Sequence, residues 1–156
     1  MYHYVREIRG SKYPEIKGLE IKNFNRQLNF LESKYNIITA EDLINYKVNN
    51  VLLPNKSCLL TFDDGYNDHF VNVFPELRKR KLKGLFFPSG QAIIKREMLD
   101  VNKIQHIIAL VKDKSNLVEE LNDLLIAHGI SERELSKLWK ELAISNRFDS
   151  KEVIYI

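Results

Sequence analysis

The 156-residue sequence predicts an α/β fold with a helical annex on its C-terminal side. Strand and helix signals alternate over the first ninety residues, and such alternation is typical of parallel α/β architecture. Three helical patterns then follow one another without a strand between them. The sequence therefore predicts an α/β part over residues 1–99, a helical annex over residues 100–150, and the start of a further element at residues 151–156.

The composition excludes several classes of protein. With 44% hydrophobic and 29% charged residues the chain is ordinary for a globular domain, and no apolar run approaches the ~20 residues that span a bilayer. The first residues lack the basic and apolar regions of a signal peptide, so a cytoplasmic location is expected by default. The net charge is only +3, and the basic run at residues 78–83 has no base-reading aromatic residues nearby, so no nucleic-acid partner is expected.

The first elements are predicted from apolar spacing and capping residues. Residues 1–5 are aromatic and β-branched, which favours a strand. Asn23 is a good N-cap for a helix whose apolar side chains, within residues 24–35, fall on one face. Residues 37–38 predict a short strand, and a capping box at residues 39–42 begins the next helix.

The central elements surround the most apolar segment of the chain. Residues 57–62 form a continuous apolar run, which is typical of a strand buried on both faces of a parallel sheet. Residues 66–81 predict a helix, with Pro75 in its first turn or at a kink. A further strand is predicted at residues 85–87.

The annex is predicted as three short helices. Their starts are indicated by Asp100, by Ser115 and by a capping box of Ser131 with Glu134. Gly129 is expected to end the second helix. Residues 153–156 are β-branched and aromatic, which hints at one more strand.

Two adjacent carboxylates, Asp63 and Asp64, follow the apolar strand directly. Functional groups collect where parallel strands end, and a bound cation usually offsets the repulsion between neighbouring carboxylates. Gly65 breaks the pleat, so both side chains can turn toward one site. The alternative is structural, because Asp-Gly is also common turn chemistry and either Asp could cap the next helix. The strand immediately before the pair favours the functional interpretation.

These residues resemble the motif of a known enzyme family. Residues 61–65, Thr-Phe-Asp-Asp-Gly, match one for one the first motif of the polysaccharide deacetylases, carbohydrate esterases with a NodB-type homology domain. Weaker similarities stand in the same order at residues 2–3, 24–39 and 85–87. The resemblance covers about the first ninety residues. It implies a partial (β/α) barrel of the polysaccharide deacetylase type, because closed barrels usually need about 200–250 residues.

The resemblance also implies an activity and a set of site residues. The activity is metal-dependent hydrolysis of an N-acetyl, less often an O-acetyl, group on an amino sugar of a glycan. In such enzymes the first Asp, here Asp63, is the general base that activates water, and the second, here Asp64, binds a divalent metal, usually zinc. His3 is a candidate substrate-binding residue on a different ground, because the end of its predicted strand should approach the end of the Asp63 strand, and an ordinary core histidine is the alternative. Tyr66 is the second candidate substrate-binding residue.

The sequence departs from the family pattern in its histidines. The chain contains His3, His69, His106 and His128. None of them is followed by a second histidine four residues later, so the His-x-x-x-His motif that completes the metal site is absent. Since catalytic zinc typically takes three protein ligands, the ligand set is incomplete in this sequence. Asp68 and His69 could complete a makeshift site with Asp64, but a helix-surface position is expected for both.

Three hypotheses follow from this departure. The favoured one is a deacetylase whose remaining motifs lie beyond Ile156, so that the isolated chain is inactive. The second is a non-catalytic sugar-binding or scaffold module, and the third is a small enzyme whose unusual site is completed by a second chain. An incomplete barrel would expose a sheet edge, so the annex or a partner copy in a homo-oligomer is expected to cover it.

Overall fold

The computed structural model describes residues 1–142 and contains both helices and strands, which confirms the mixed class. It consists of two compact units, Met1–Ala109 and Leu110–Ile156, of which the second is described as far as Leu142. The further element expected at residues 151–156 lies outside the described residues. The predicted division at residue 99 stays a prediction.

Four short strands are present, and both of their ladders are parallel. They are β1 (Asn36–Ile38), β2 (Ser57–Leu59), β3 (Thr61–Asp64) and β4 (Leu85–Pro88). β1 pairs with β2, and β3 pairs with β4. Leu60 connects β2 to β3, and its carbonyl accepts a hydrogen bond from the Leu85 amide at 2.9 Å. The strands predicted at residues 37–38 and 85–87 are confirmed, whereas the predicted central strand is split at Leu60 and runs on to Asp64.

The two faces of the central strands are buried to different degrees. Leu60 and Phe62 are fully buried against helix residues such as Phe24 and Leu77. The residues that alternate with them, including Leu59 and Asp63, are only half-buried. The prediction that residues 57–62 are buried on both faces is therefore wrong, because within this run Leu60 and Phe62 alone are fully buried.

The ladders do not close into a barrel within residues 1–142. The partial barrel of the polysaccharide deacetylase type therefore stays a proposal. In the described part of the chain β4 has a paired strand on one side only, and its Phe86 and Phe87 are 38% and 53% exposed. That the annex or a partner copy covers this edge stays a prediction.

The N-terminal segment forms two single bridges where a strand was predicted. Tyr2 bridges Phe62, and Val5 bridges Leu19, both in parallel. The Tyr2 amide donates to the Thr61 carbonyl at 2.8 Å, and its carbonyl accepts from the Asp63 amide at 3.0 Å. The segment changes its pairing partner between Tyr2 and Val5, so it does not continue as a regular strand. His3 is thereby placed beside the end of β3.

The predicted helices are present in order, some with shifted starts, and the helix at residues 90–95 is additional. They are α1 (Ile21–Lys34), α2 (Ala40–Asn49), a π-helical turn (His69–Val73) that continues into α3 (Phe74–Arg80), α4 (Gly90–Lys95), α5 (Asp100–Leu110), α6 (Lys114–Ala127) and α7 (Glu132–Leu142). α1 begins two residues before Asn23, which was predicted as its N-cap. Within residues 1–142 no helix is long and apolar enough to cross a membrane.

Local capping explains the starts of α2 and α4. Both bonds of the predicted box are present in α2, since Thr39 accepts from the Asp42 amide and Asp42 accepts from the Thr39 amide. α4 was not predicted, although Ser89 caps it by accepting a hydrogen bond from the Ala92 amide.

A π-helical turn lies directly before α3. Pro75 is in the first turn of α3, which is one of the two positions predicted for it, the other being a kink. Proline has no amide proton, so it cannot donate to the carbonyl four residues earlier. The residue before the proline, Phe74, donates its amide proton to the His69 carbonyl five residues back, which is the spacing of a π-helix. This local widening sets the position of His69 relative to β3.

The second unit contains α6 and α7. Asp113, rather than the predicted Ser115, caps α6 through hydrogen bonds from the Ser115 and Asn116 amides. Gly129 follows the end of α6 with a left-handed φ of +92°, as the predicted helix stop requires. The predicted capping box between Ser131 and Glu134 is present at the start of α7.

Candidate functional site

The two carboxylates lie where β3 ends. Asp63 is in register with Phe87 of β4, and Asp64 is in register with Pro88. The backbone turns left-handed at Asp64, with φ of 72°, and again at Gly65, with φ of 69°. The chain therefore leaves the extended conformation one residue earlier than predicted.

Gly65 is required for close contact between the two strands. A Cβ atom at this position would lie 2.6 Å from the Cβ of Pro88, which is inside van der Waals contact. Glycine also adopts positive φ without the steric cost that other residues meet. The sequence folds this way because Gly65 allows β4 to approach just after the carboxylates.

Asp64 is held by two side chains from different parts of the first unit. Its Oδ2 accepts a hydrogen bond from the Tyr66 hydroxyl at 2.6 Å and lies 3.1 Å from Nδ1 of His3. Burial raises the pKa of Asp64, but the bonds from Tyr66 and His3 outweigh it, and the net pKa is lowered. The structure thus brings together three of the four predicted site residues, with Asp64 held as an anion.

Tyr66 is itself fixed by two neighbours. Its hydroxyl accepts a hydrogen bond from Nδ2 of Asn102 at 2.7 Å, and its ring stacks on the ring of Tyr4 with 4.1 Å between centroids. Burial and the hydrogen bond to Asp64 raise the pKa of this hydroxyl well above its ordinary value. Tyr66 therefore stays protonated and acts as a donor to the carboxylate.

His69 holds the backbone of His3. It is 4% exposed, and its Nε2 lies 2.7 Å from the His3 carbonyl oxygen. A carbonyl only accepts hydrogen bonds, so Nε2 carries the proton. The helix-surface position expected for His69 is wrong, because the π-helical turn directs this side chain inward.

Asp68 is bound to a neighbouring cation. Its Oδ2 accepts a hydrogen bond from Nε of Arg6 at 2.5 Å, and the Arg6 guanidinium lies over the Tyr4 ring at 4.3 Å. The side chain of Asp68 is only 12% exposed, so the expected surface position is wrong for it as well. Asp68 is therefore paired with Arg6, and His69 bonds through Nε2 to the His3 backbone. Within residues 1–142 neither of them forms a group of three metal-ligating side chains with Asp64.

The described residues do not fit a catalytic zinc ion by themselves. Within residues 1–142, no group of three or more His, Cys, Asp or Glu side chains could hold a metal. Catalytic zinc typically takes three protein ligands. Asp64 supplies one carboxylate, and His3 directs a ring nitrogen at that same carboxylate. Any metal held by Asp64 would need ligands from outside this set.

A pocket of about 340 Å³ opens beside Asp64. Its walls come from the N-terminal segment, the residues after β3, and the region from α4 to α5. Tyr4, Arg6 and Asn102 line it, and none of them was predicted as a site residue. Asn102 was missed as a site residue because the apolar spacing of α5 indicates Val101 and Ile104 as the residues that face the core. Both are exposed by more than half.

Comparisons with known proteins complete the description of the site. A family model described as "Polysaccharide deacetylase" matches residues 51–145. A protein of Bacillus subtilis (strain 168) named "Putative polysaccharide deacetylase YxkH" is 23% identical over 154 residues, which are 98% of this chain and 49% of that protein. The chain therefore spans about half the length of this curated relative.

Two solved structures are also similar. A de-N-acetylase from Aggregatibacter actinomycetemcomitans is 24% identical, with a TM-score of 0.49 over 56% of this chain and 35% of that one. IcaB from Ammonifex degensii is 33% identical, with a TM-score of 0.47 over 58% of this chain and 38% of that one.

Proposed function

The chain belongs to the polysaccharide deacetylase family, and from this premise we propose that it carries the carboxylate part of a carbohydrate deacetylase centre. The observation that carries the proposal is the pair Asp63 and Asp64 at the end of β3, with Asp64 oriented by His3 and Tyr66. The proposed reaction is hydrolysis of an N-acetyl, less often an O-acetyl, group on an amino sugar.

Asp63 is the proposed general base. Asp63 is half-buried near the end of β3, and a carboxylate at this position can accept a proton from a water molecule. The water oxygen then adds to the acetyl carbon. As the bond from that carbon to the sugar nitrogen or oxygen breaks, this atom takes up one proton, equal to the one that Asp63 removed from water. The sugar keeps a free amine or hydroxyl, and the acetyl group leaves as acetic acid.

Asp64 is the proposed ligand of a divalent metal, zinc by family resemblance. Because the described residues supply too few ligands, we propose that the centre is incomplete within them and that the isolated chain does not turn over substrate. His3, whose side chain is 49% exposed, remains free to contact a bound sugar. Tyr66 would contact it through its ring, since its hydroxyl is engaged by Asp64 and Asn102.

The second candidate function is a non-catalytic sugar-binding or scaffold module. It is favoured by the absence of a three-ligand group within residues 1–142. In that case the pocket beside Asp64 would bind acetylated oligosaccharides with the same affinity whether or not zinc is present.

Zinc binding separates the two candidates. We expect calorimetry with the purified chain to detect weak zinc binding that falls about tenfold or more in Asp64→Ala. Asp123→Asn, which changes an exposed carboxylate of α6, is the control and should bind zinc as the unmodified chain does. Unchanged binding in Asp64→Ala would contradict the metal-ligand proposal.

Turnover of acetylated chito-oligosaccharides tests the remaining roles. With zinc present, we expect no acetate release from the isolated chain. Release that is lost in Asp63→Asn would support the general-base role and overturn the proposal that the centre is incomplete. Release that persists in Asp63→Asn would overturn the general-base role.

A further inference from the structure

Asn102 is the buried polar side chain of α5. It is 5% exposed, whereas Val101 and Ile104 on the same helix are 53% and 55% exposed. A buried amide is costly unless its donors and acceptor find partners. The inward position of Asn102 is therefore explained by what its side chain bonds to.

The amide of Asn102 donates to two tyrosine hydroxyls. Nδ2 lies 2.7 Å from the Tyr66 hydroxyl oxygen and 3.1 Å from that of Tyr4. The ionised Asp64 carboxylate only accepts hydrogen bonds, so the Tyr66 hydroxyl must give its single proton to Asp64. An Asn102 oxygen facing Tyr66 would compete for that proton. The geometry thus requires the amide nitrogen on the Tyr66 side.

We propose that Asn102 is a positioning residue, whose amide fixes the Tyr66 hydroxyl as the proton donor to the Asp64 carboxylate. The inference rests on the proposed role of Asp64 for its functional meaning, and on the contacts alone for its geometry. It links α5, which lies more than 30 residues further along the chain, to the end of β3.

Aromatic rings lie next to the two hydroxyls and to α5. Tyr4 stacks on Tyr66, so the two hydroxyls stand side by side for one amide to reach both. The ring of His106, one turn further along α5, packs edge-on against the Tyr4 ring with 6.1 Å between centroids. The Nδ1 atom of His106 lies 2.8 Å from the backbone carbonyl oxygen of Asn102. His106 thus contacts the Tyr4 ring and the backbone of α5, whereas the bond to the Tyr66 hydroxyl comes from the Asn102 side-chain amide.

The test follows the Tyr66 hydroxyl proton by nuclear magnetic resonance, without any need for catalysis. In the full chain carrying ¹³Cζ-labelled tyrosine, a slowly exchanging hydroxyl gives two Cζ signals in mixed H₂O and D₂O. We expect this doublet for Tyr66, assigned by its loss in Tyr66→Phe. In Asn102→Leu we expect exchange about tenfold faster or more, the factor that corresponds to one hydrogen bond of this class, and a single averaged signal.

Two controls separate positioning from general loosening of the helix. His106→Ala removes packing on the same helix but leaves the Asn102 amide, and Tyr4→Phe removes its other acceptor. The Tyr66 doublet should persist in both. A doublet that persists in Asn102→Leu, or one that collapses equally in His106→Ala, would overturn the proposal.

The unmodified chain provides an independent measurement if Asn102→Leu does not fold. A nuclear Overhauser effect between the Tyr66 hydroxyl proton and the Asn102 side-chain amide protons is expected, and its absence would refute the contact. The zinc experiment with Asp64→Ala is separate from these spectra. Failure of the metal proposal would therefore leave a distinct pattern from failure of the Asn102 proposal.

Discussion

Replacing Tyr66 with Phe removes a single oxygen atom from the centre of the candidate site. That oxygen donates to Asp64 at 2.6 Å and accepts from Asn102 at 2.7 Å. A hydrogen bond to a charged group contributes about 1.5–3 kcal/mol to stability. Asp64 is 27% exposed and keeps His3, and Asn102 keeps Tyr4 as an acceptor, so we expect the lower part of that range. The expected loss is about 1.5–2 kcal/mol in the free energy of unfolding at pH 7.

The pH dependence of this loss tests its cause. The folded-state pKa of Asp64 is lowered from its ordinary value of 3.8, chiefly by the bonds from Tyr66 and His3 working against burial. The charge of Asp64 therefore stabilises the fold above the unfolded pKa, and this contribution is lost as the pH falls through the folded pKa. The difference between Tyr66→Phe and the unmodified chain should accordingly shrink at pH values below 3.8.

Urea unfolding at pH 7 and at a pH below 3.8 measures the difference in free energy of unfolding between Tyr66→Phe and the unmodified chain. Tyr4→Phe is a matched control, because it removes a hydroxyl that bonds to Asn102 without touching Asp64. Its effect should not depend on pH over the same range. An equal loss for Tyr66→Phe at both pH values would show that the hydroxyl does not serve an ionised carboxylate, and the reasoning would be refuted.

Three further predictions concern the core, the turn after the carboxylates and a helix cap. Phe62→Ala empties a fully buried position in the core and should cost about 3–5 kcal/mol in urea unfolding, whereas a cost below about 1 kcal/mol would contradict the packing described. Gly65→Ala should lower stability by more than about 1 kcal/mol, because its methyl group would lie 2.6 Å from the Cβ of Pro88 at a positive φ. The hydrogen bond from the Thr39 backbone amide lowers the pKa of Asp42 below 3.8, so the nuclear magnetic resonance signal of that amide should titrate with a midpoint below 3.8. A midpoint at or above 3.8 would exclude the capping box.

Short-range features of the fold could be predicted from the sequence. The capping boxes at Thr39 and Ser131 join residues only three positions apart, so the pattern contains both partners. The start of α1, which depends on distant contacts, was misplaced by more than two residues. The Glu20 carboxylate, at the N-cap of α1, bonds to the amides of Ile8 and Arg9 rather than to the helix. No spacing rule within a helix contains such a partner.

The same division runs through the candidate site. By itself, the sequence determined that Asp63 and Asp64 stand at the end of a strand before a glycine, because strand, turn and motif are adjacent in the chain. Only the tertiary structure decided that Asp64 meets His3, 61 residues away, and that Asn102 reaches Tyr66 across 36 residues. Apolar spacing identifies a possible inward face of a helix, but packing selects the face that is buried. In α5 the buried amide gains two hydroxyl acceptors, and for this physical reason the polar residue lies inside while its apolar neighbours face outward.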